Sequence, residues 1–105
     1  MIVAFSVAPA VTPTADAEMS HAVARAVRVV RESGLPYETN AMFTLLEGEW
    51  DEVFSVIKKA TDAVREVSPR VSLVIKADIR KGYHNQMTQK LEDLERQIQV
   101  LEEDN

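Results

Sequence analysis

Apolar and polar residues alternate along the first segment of the chain, which is typical of a strand with one buried face. Val3, Phe5 and Val7 fall on one side of this segment, whereas Ala4 and Ser6 fall on the other. We therefore predict a strand over residues 2–8, with the three larger side chains against the core.

The apolar spacing then lengthens to three or four residues, which is typical of an amphipathic helix. The apolar positions of this segment are Met19, Val23, Val27 and Val30. They predict a helix over residues 16–33, with Thr14 or Asp16 as its N-cap and Gly34 as its C-terminal stop.

Residues 37–47 permit two interpretations: one long strand, or a hairpin that turns at residues 40–43. Asn40 suits the first position of a turn, although no glycine marks the turn itself. A hairpin gives the sheet four strands, whereas a single strand leaves three, which cover two helices poorly. We therefore favour the hairpin.

After residue 47 the chain repeats the helix pattern and then the strand pattern. A helix is predicted over residues 51–67, before Pro69, and a strand over residues 71–79. The inner face of the helix is predicted to carry Phe54, Ile57, Thr61 and Val64. The inward residues of the strand are predicted to be Val71, Leu73, Ile75 and Ala77.

These elements predict an α+β fold of the ferredoxin-like type, a βαββαβ sandwich. Its four-stranded antiparallel sheet carries two helices on one face. We assign residues 1–82 to this domain and residues 83–105 to a C-terminal helix. The helix has a heptad-like seam, made of Met87, Leu91, Leu94, Ile98 and Leu101. Such a seam suits packing on the same domain or on a neighbouring subunit.

Composition excludes several classes of function. The 105 residues contain no cysteine, and His21 and His84 are too few and too far apart in sequence to suggest a metal site. A net charge of −5 disfavours binding to nucleic acid or membrane surfaces. Since no apolar run approaches the length of a membrane span, we expect a cytoplasmic protein.

Two helices on one face would leave the other face of the sheet bare. The residues predicted on that helix-free face are small, polar or charged: Ala4, Ser6, Ser72, Val74, Lys76 and Asp78. Such a face usually pairs with another sheet, so we expect a homo-oligomer, either a dimer or a tetramer. Glu47 and Asp78 could form a carboxylate pair, but structural roles suit them better. We expect Glu47 to close a strand end near the second helix, and Asp78 to balance Lys76 or Arg80.

Five short motifs, in order, resemble a known family. They are Phe5-Ser6-Val7-x-Pro9, Ser33-Gly34-Leu35-x-Tyr37, Met42-x-Thr44-x-x-Glu47-Gly48, Asp51-Glu52-Val53-Phe54 and Ile75-Lys76-x-Asp78-x-Arg80. Together they are similar to the small single-domain thiamine-binding protein family of the YkoF-like superfamily. The chain departs from the family pattern at Val11 and Phe43, where glycine is common, and at Ala41, where proline is frequent.

The resemblance implies a ferredoxin-like fold, a multimer built by packing sheets, and non-enzymatic binding of thiamine or its hydroxymethylpyrimidine moiety without a cofactor. The ligand-binding residues that it implies are Ser6, Asn40, Met42, Thr44, Glu47, Lys76 and Asp78. We expect these side chains to meet over the helix-free face of the sheet.

The chemistry of these residues is compatible with an aminopyrimidine. Glu47 or Asp78 could accept a hydrogen bond from the exocyclic amine, while Thr44 and Asn40 satisfy the ring nitrogens. Met42 suits a ring face. A diphosphate would need several donors that the sequence does not show, which favours free thiamine or the pyrimidine alone.

Two alternative functions, from other functional classes, remain open at this point. One is a structural oligomerisation module without a ligand. The other is a cofactor-free ferredoxin-like oxygenase, which would need a catalytic His, Asn or Trp in an apolar cavity. Trp50 and His84 are poorly placed for that role.

Overall fold

The computed structural model describes residues 1–10, 16–82 and 84–103. The seven elements follow in the order β1 (Ile2–Pro9), α1 (Asp16–Glu32), β2 (Tyr37–Thr39), β3 (Thr44–Glu47), α2 (Trp50–Arg65), β4 (Val71–Asp78) and α3 (Gln86–Glu103). Of the residues singled out above, Val11 and Thr14 lie outside the described residues.

The four strands form one antiparallel sheet in the order β2-β3-β1-β4. This order confirms the ferredoxin-like βαββαβ fold and the hairpin between β2 and β3. The hairpin turn is stabilised by Asn40, whose Oδ1 accepts the backbone N–H groups of Met42 at 2.8 Å and Phe43 at 2.9 Å. An asparagine side chain can thus stabilise a turn that contains no glycine.

The hydrophobic core lies between one face of the sheet and the helices α1 and α2. Its strand residues are Val3, Phe5, Val7 and Leu46. The alternation predicted for the first strand is therefore confirmed. Gly34 has a φ of 81°, a conformation that favours glycine, and it ends α1 as predicted.

The helix predicted over residues 16–33 is confirmed as α1, but the apolar positions that predicted it are not all buried. Val30 is buried, but Met19 is exposed and Val23 and Val27 are half-buried. The buried positions are Ala22 and Ala26. Small side chains let a helix approach its neighbours closely, so the two alanines occupy the contact and the valines lie at its flank.

The predicted inner face of α2 is partly correct. Ile57 and Val64 are buried as expected, together with Val53, Val56 and Ala60. Phe54 is only half-buried and stacks on Trp50, with ring centroids 4.5 Å apart. Thr61 is also half-buried, and its hydroxyl donates to the Ile57 carbonyl at 2.7 Å.

Strand β4 lies at one edge of the sheet and is poorly covered. Leu73 and Ile75 face the helix side by register, opposite Val7 and Phe5, yet both are exposed. The prediction that they point inward is correct, because they lie on the helix side of the sheet. They are nevertheless not buried. The reason is their edge position, where the two helices no longer cover the sheet.

Candidate functional site

The seven candidate residues fall on two different faces of the sheet. Thr44 pairs with Phe5 and therefore lies on the helix side. Glu47 and Asp78 both pair with Ile2 and lie on the helix-free side, as does Lys76, which pairs with Ala4. Because side chains alternate along a strand, Thr44 and Glu47, three positions apart, must face opposite ways. The expectation that all candidates meet over the helix-free face is therefore wrong for Thr44.

A small cavity lies beside the β2–β3 turn, on the helix side of the sheet. Its volume is about 160 Å³, and it is bounded by residues 5–8 of β1, by one side of α1 and by residues 39–44. The cavity brings together Asn40, Met42 and Thr44, and β1 borders it at Ser6. We call it the turn cavity. The Ser6 side chain belongs to the helix-free face, since Ser6 pairs with Val74 between Ala4 and Ala8.

Thr44 is the buried polar group of the turn cavity. The residue is 7% exposed, and its hydroxyl has no hydrogen-bond partner among the described residues. Among the described residues no fully buried side-chain N or O atom lacks a hydrogen bond, so the Thr44 hydroxyl is open to the turn cavity and not sealed in the core. It is therefore a candidate for ligand contact.

Asn40 and Met42 form the rim of the turn cavity. The Oδ1 atom of Asn40 is used by the turn, which leaves its amide NH₂ group as a donor without a partner in the described part of the chain. Met42 is 73% exposed and can move over the opening. Phe43 takes the place of a family glycine without strain: among the described non-glycine residues, Asn85 alone has a positive φ.

The cavity also has apolar walls, a role that the sequence analysis did not assign to their residues. Val23 and Val27 of α1 line it, together with Phe43. The sequence signal for the two valines was their place in the apolar spacing of α1, which predicts an inward position but does not distinguish the core from a cavity wall.

The carboxylate of Glu47 binds the first turn of α3. Its Oε2 accepts the Gln86 backbone N–H at 2.6 Å, and its Oε1 accepts that of Met87 at 3.2 Å. These N–H groups have no partner within a helix, and the helix dipole favours a negative charge at this end. Glu47 is only 7% exposed. Glu47 ends β3 just before the start of α2, as expected, but its carboxylate binds the third helix.

Asp78 binds the same helix one turn further on. Lys90 donates from its Nζ to the Asp78 Oδ2 at 2.5 Å, and this hydrogen bond, with the charge of Lys90, lowers the pKa of the Asp78 carboxyl from its usual 3.8. The predicted partners were Lys76 or Arg80. Arg80 adds a smaller electrostatic contribution, but the direct partner is Lys90.

Glu47 and Asp78 flank Ile2 on either side of β1, so their strands lie about 10 Å apart. Both carboxylates are engaged by α3. A wider groove of about 840 Å³ opens between α3 and the edge strand β2, lined by Tyr37 and Glu38 on one side and Met87 and Leu91 on the other. No sequence pattern indicated this groove, because it depends on the direction that α3 takes.

His21 and His84 are exposed. No group of three or more His, Asp or Glu side chains in the described ranges is arranged to hold a metal ion. Of the helices described, none combines the length and the apolar character that crossing a membrane requires.

Comparison with known proteins agrees with the fold and the motifs. Residues 3–95 match the thiamine-binding protein family. A UPF0045 protein from Mycobacterium bovis is 48% identical over 99 residues, which are 93% of this chain and 94% of that protein.

Two solved structures have the same architecture. A hypothetical protein from Methanocaldococcus jannaschii superposes with a TM-score of 0.78 at 33% identity, over 89% of this chain and 93% of that chain. A protein from Thermotoga maritima, provisionally assigned to thiamine biosynthesis or salvage, gives a TM-score of 0.72 at 24% identity, over 86% of this chain and 96% of that chain. The second likeness shows the fold alone. Taken together, the family match and the identity across almost the whole chain show that this protein belongs to the thiamine-binding protein family.

Proposed function

We propose that this protein binds thiamine or its hydroxymethylpyrimidine moiety without catalysis, as a carrier, buffer or sensor. We place the pyrimidine ring in the turn cavity. The observation that carries this placement is Thr44, a 7% exposed residue whose hydroxyl lacks a partner among the described residues. Membership of the thiamine-binding protein family supports the class of ligand.

The polar groups of the turn cavity suit an aminopyrimidine. The Thr44 hydroxyl can donate to a ring nitrogen or accept from the exocyclic amine, and the Asn40 NH₂ group can donate to a second ring nitrogen. Val27 and Phe43 supply apolar walls for the faces of the ring, and Met42 can close over it.

The size of the cavity favours a single ring. Pockets for drug-sized ligands are usually about 300–1,000 Å³, whereas the turn cavity measures about 160 Å³. The pyrimidine therefore fits inside, and the thiazolium ring of intact thiamine would extend past Met42 towards solvent.

A site over the helix-free face is less favourable. Glu47 and Asp78 would be its carboxylates, and each already holds α3. An amine could reach Glu47 only by displacing the Gln86 and Met87 N–H groups, which would leave two helix donors without a partner. We assign Glu47, Lys76 and Asp78 to holding α3 or a neighbouring subunit.

We also propose a cytoplasmic homo-oligomer. Strand β4 supports this proposal, because it is an eight-residue edge strand with exposed apolar side chains at Leu73, Val74 and Ile75. Edge strands of this kind are templates for pairing with another chain. A structural module without a ligand would share this feature, so ligand binding must be measured directly.

Calorimetry with thiamine and with hydroxymethylpyrimidine tests the function. We expect Thr44→Val to weaken binding about tenfold, since it removes a buried hydrogen bond while keeping the side-chain shape. Glu47→Gln is the matched control for the other face, and it should change affinity less than about twofold. No heat at millimolar ligand with folded protein would exclude the function. Loss of binding in Glu47→Gln but not in Thr44→Val would indicate that the site lies on the helix-free face.

A further inference from the structure

The outer flank of α1 has a shallow hollow that borders the turn cavity. Met19, Val23 and Val27 form its apolar surface, and Arg28 and Arg31, nearer the end of the helix, complete its lining. Val23 and Val27 also line the turn cavity, so the two hollows share a wall. A ligand that extends from the turn cavity along α1 therefore approaches the two arginines.

The charges of Arg28 and Arg31 are not neutralised by the described part of the chain. Both residues are exposed, and neither forms an ion pair with a described residue. Arg25, Arg65 and Arg96, by contrast, each pair with a carboxylate. Among the described residues that line the two hollows there is no Asp or Glu. This flank is thus locally positive on a chain whose net charge is −5.

The spacing of the two arginines suits a single phosphate group. Residues three positions apart are neighbours on a helix surface, with about 5–6 Å between their Cβ atoms, so both guanidinium groups can approach one anion. A guanidinium group binds phosphate through paired N–H donors. Arg31 lies in the last turn of α1, where a positive charge also suits the helix dipole, but that role does not account for Arg28.

The distance from the turn cavity to the arginines is short. Arg28 follows Val27 directly, and Arg31 lies one helical turn beyond Val27, about 6 Å along the axis. An arginine side chain can span that distance, so a group that projects from a ring in the turn cavity lies within reach of both residues.

We propose that the ligand of the turn cavity is a phosphate monoester of hydroxymethylpyrimidine, with its phosphate held by Arg28 and Arg31. The inference rests on the proposed function, because the pyrimidine ring must occupy the turn cavity. The phosphate of the monoester and the thiazolium ring of thiamine are carried by the same methylene group, so they leave the cavity by the same route. Two positive charges beside that route favour the anion and disfavour the cation.

Calorimetry with three ligands tests the inference: hydroxymethylpyrimidine, its phosphate monoester and inorganic phosphate. We expect the monoester to bind at least about tenfold more tightly than the free alcohol at low ionic strength. Added salt should reduce this advantage, because the arginines are exposed. Inorganic phosphate lacks the ring and should bind at least about tenfold more weakly than the monoester. Equal affinity of the monoester and either of the other two ligands would overturn the inference.

The double substitution Arg28→Gln with Arg31→Gln removes both charges. We expect it to abolish the advantage of the monoester, to change the affinity for the free alcohol by less than about twofold, and not to weaken the binding of thiamine. Arg65→Gln on α2 is the matched control and should change none of these affinities by more than about twofold. An advantage of the monoester that survives the double substitution would overturn the inference. So would an equal loss of affinity for the alcohol and the monoester, since that result would indicate damage to the turn cavity.

The free alcohol separates this inference from the proposed function. Binding of hydroxymethylpyrimidine without a preference for its monoester would contradict only the phosphate site. No binding of either pyrimidine by the folded protein would contradict the proposed function, and the inference with it.

Discussion

The carboxylate of Glu47 lies 2.6 Å from the backbone nitrogen of Gln86, thirty-nine positions further along the chain. This hydrogen bond joins the end of β3 to the start of α3. It fixes where the helix leaves the sheet, and it occupies the carboxylate that the family resemblance would give to a ligand. The relationship separates the candidate residues into a group that holds α3 and a group that lines the turn cavity.

Glu47→Gln is expected to loosen α3 without unfolding the domain. The amide keeps one acceptor but loses the charge, so the docking of the first turn should weaken by ~1–2 kcal/mol. Hydrogen exchange should accelerate at Gln86 and Met87 and stay unchanged in β1.

The matched control for this variant is Glu52→Gln. Glu52 accepts the Glu49 backbone N–H at 3.1 Å at the start of α2, so its substitution should affect α2 alone. Unaltered exchange at Gln86 in Glu47→Gln would contradict the role given to Glu47.

The pKa of Asp78 should return to its usual range in Lys90→Gln. Lys90 lowers this pKa, so the ion pair stabilises the docked helix above the ordinary pKa of 3.8 and is lost as the pH falls through the lowered value. Carboxyl NMR titration measures the change. Lys76→Gln on the same face is the control and should leave the pKa unchanged; an equal effect of both substitutions would argue against a direct Lys90 partnership.

Thr44→Val is expected to separate stability from binding. The Thr44 hydroxyl makes no hydrogen bond with the described residues and is open to the turn cavity, so its removal should change the free energy of unfolding by less than about 0.5 kcal/mol. Thr61→Val should instead lower it by about 0.5–1 kcal/mol, because the Thr61 hydroxyl donates to Ile57. Chemical denaturation measures both, and a clear loss of stability in Thr44→Val would mean that the hydroxyl has a structural partner.

Leu46→Ala should destabilise the fold by about 2–5 kcal/mol, because Leu46 is fully buried beneath the two helices. Leu45→Ala is the natural comparison, since Leu45 is half-buried on the opposite face of β3. Its cost should stay below about 1 kcal/mol. Similar losses of stability in Leu46→Ala and Leu45→Ala would contradict the assignment of the two residues to opposite faces of β3.

The sequence predicted the fold well where local patterns determine it. The alternation of Val3, Phe5 and Val7 identifies a strand with one buried face, and Asn40 marks a turn that its own side chain stabilises. The buried face of α1 was harder to see in the sequence, because its contact is made by Ala22 and Ala26 and not by most of the larger apolar residues that predict the helix. Close helix packing selects small residues, and their low hydrophobicity hides them in the pattern.

The candidate site was less predictable. Strand alternation could already have placed Thr44 and Glu47 on opposite faces, since they are three positions apart. The contacts of Glu47 with Gln86 and of Asp78 with Lys90 had no local signal, because they depend on the direction in which α3 leaves the sheet. The ligand-binding roles of the seven residues stay predictions.

We propose that a pyrimidine ring occupies the turn cavity beside Thr44. Amide chemical shifts followed during titration with hydroxymethylpyrimidine test it most directly. We expect shifts confined to the residues that bound the turn cavity, namely residues 5–8, residues 39–44 and Val23 and Val27 of α1, and we expect their loss in Thr44→Val. Shifts that appear instead at Glu47, Lys76 and Gln86, or none at millimolar ligand, would contradict it.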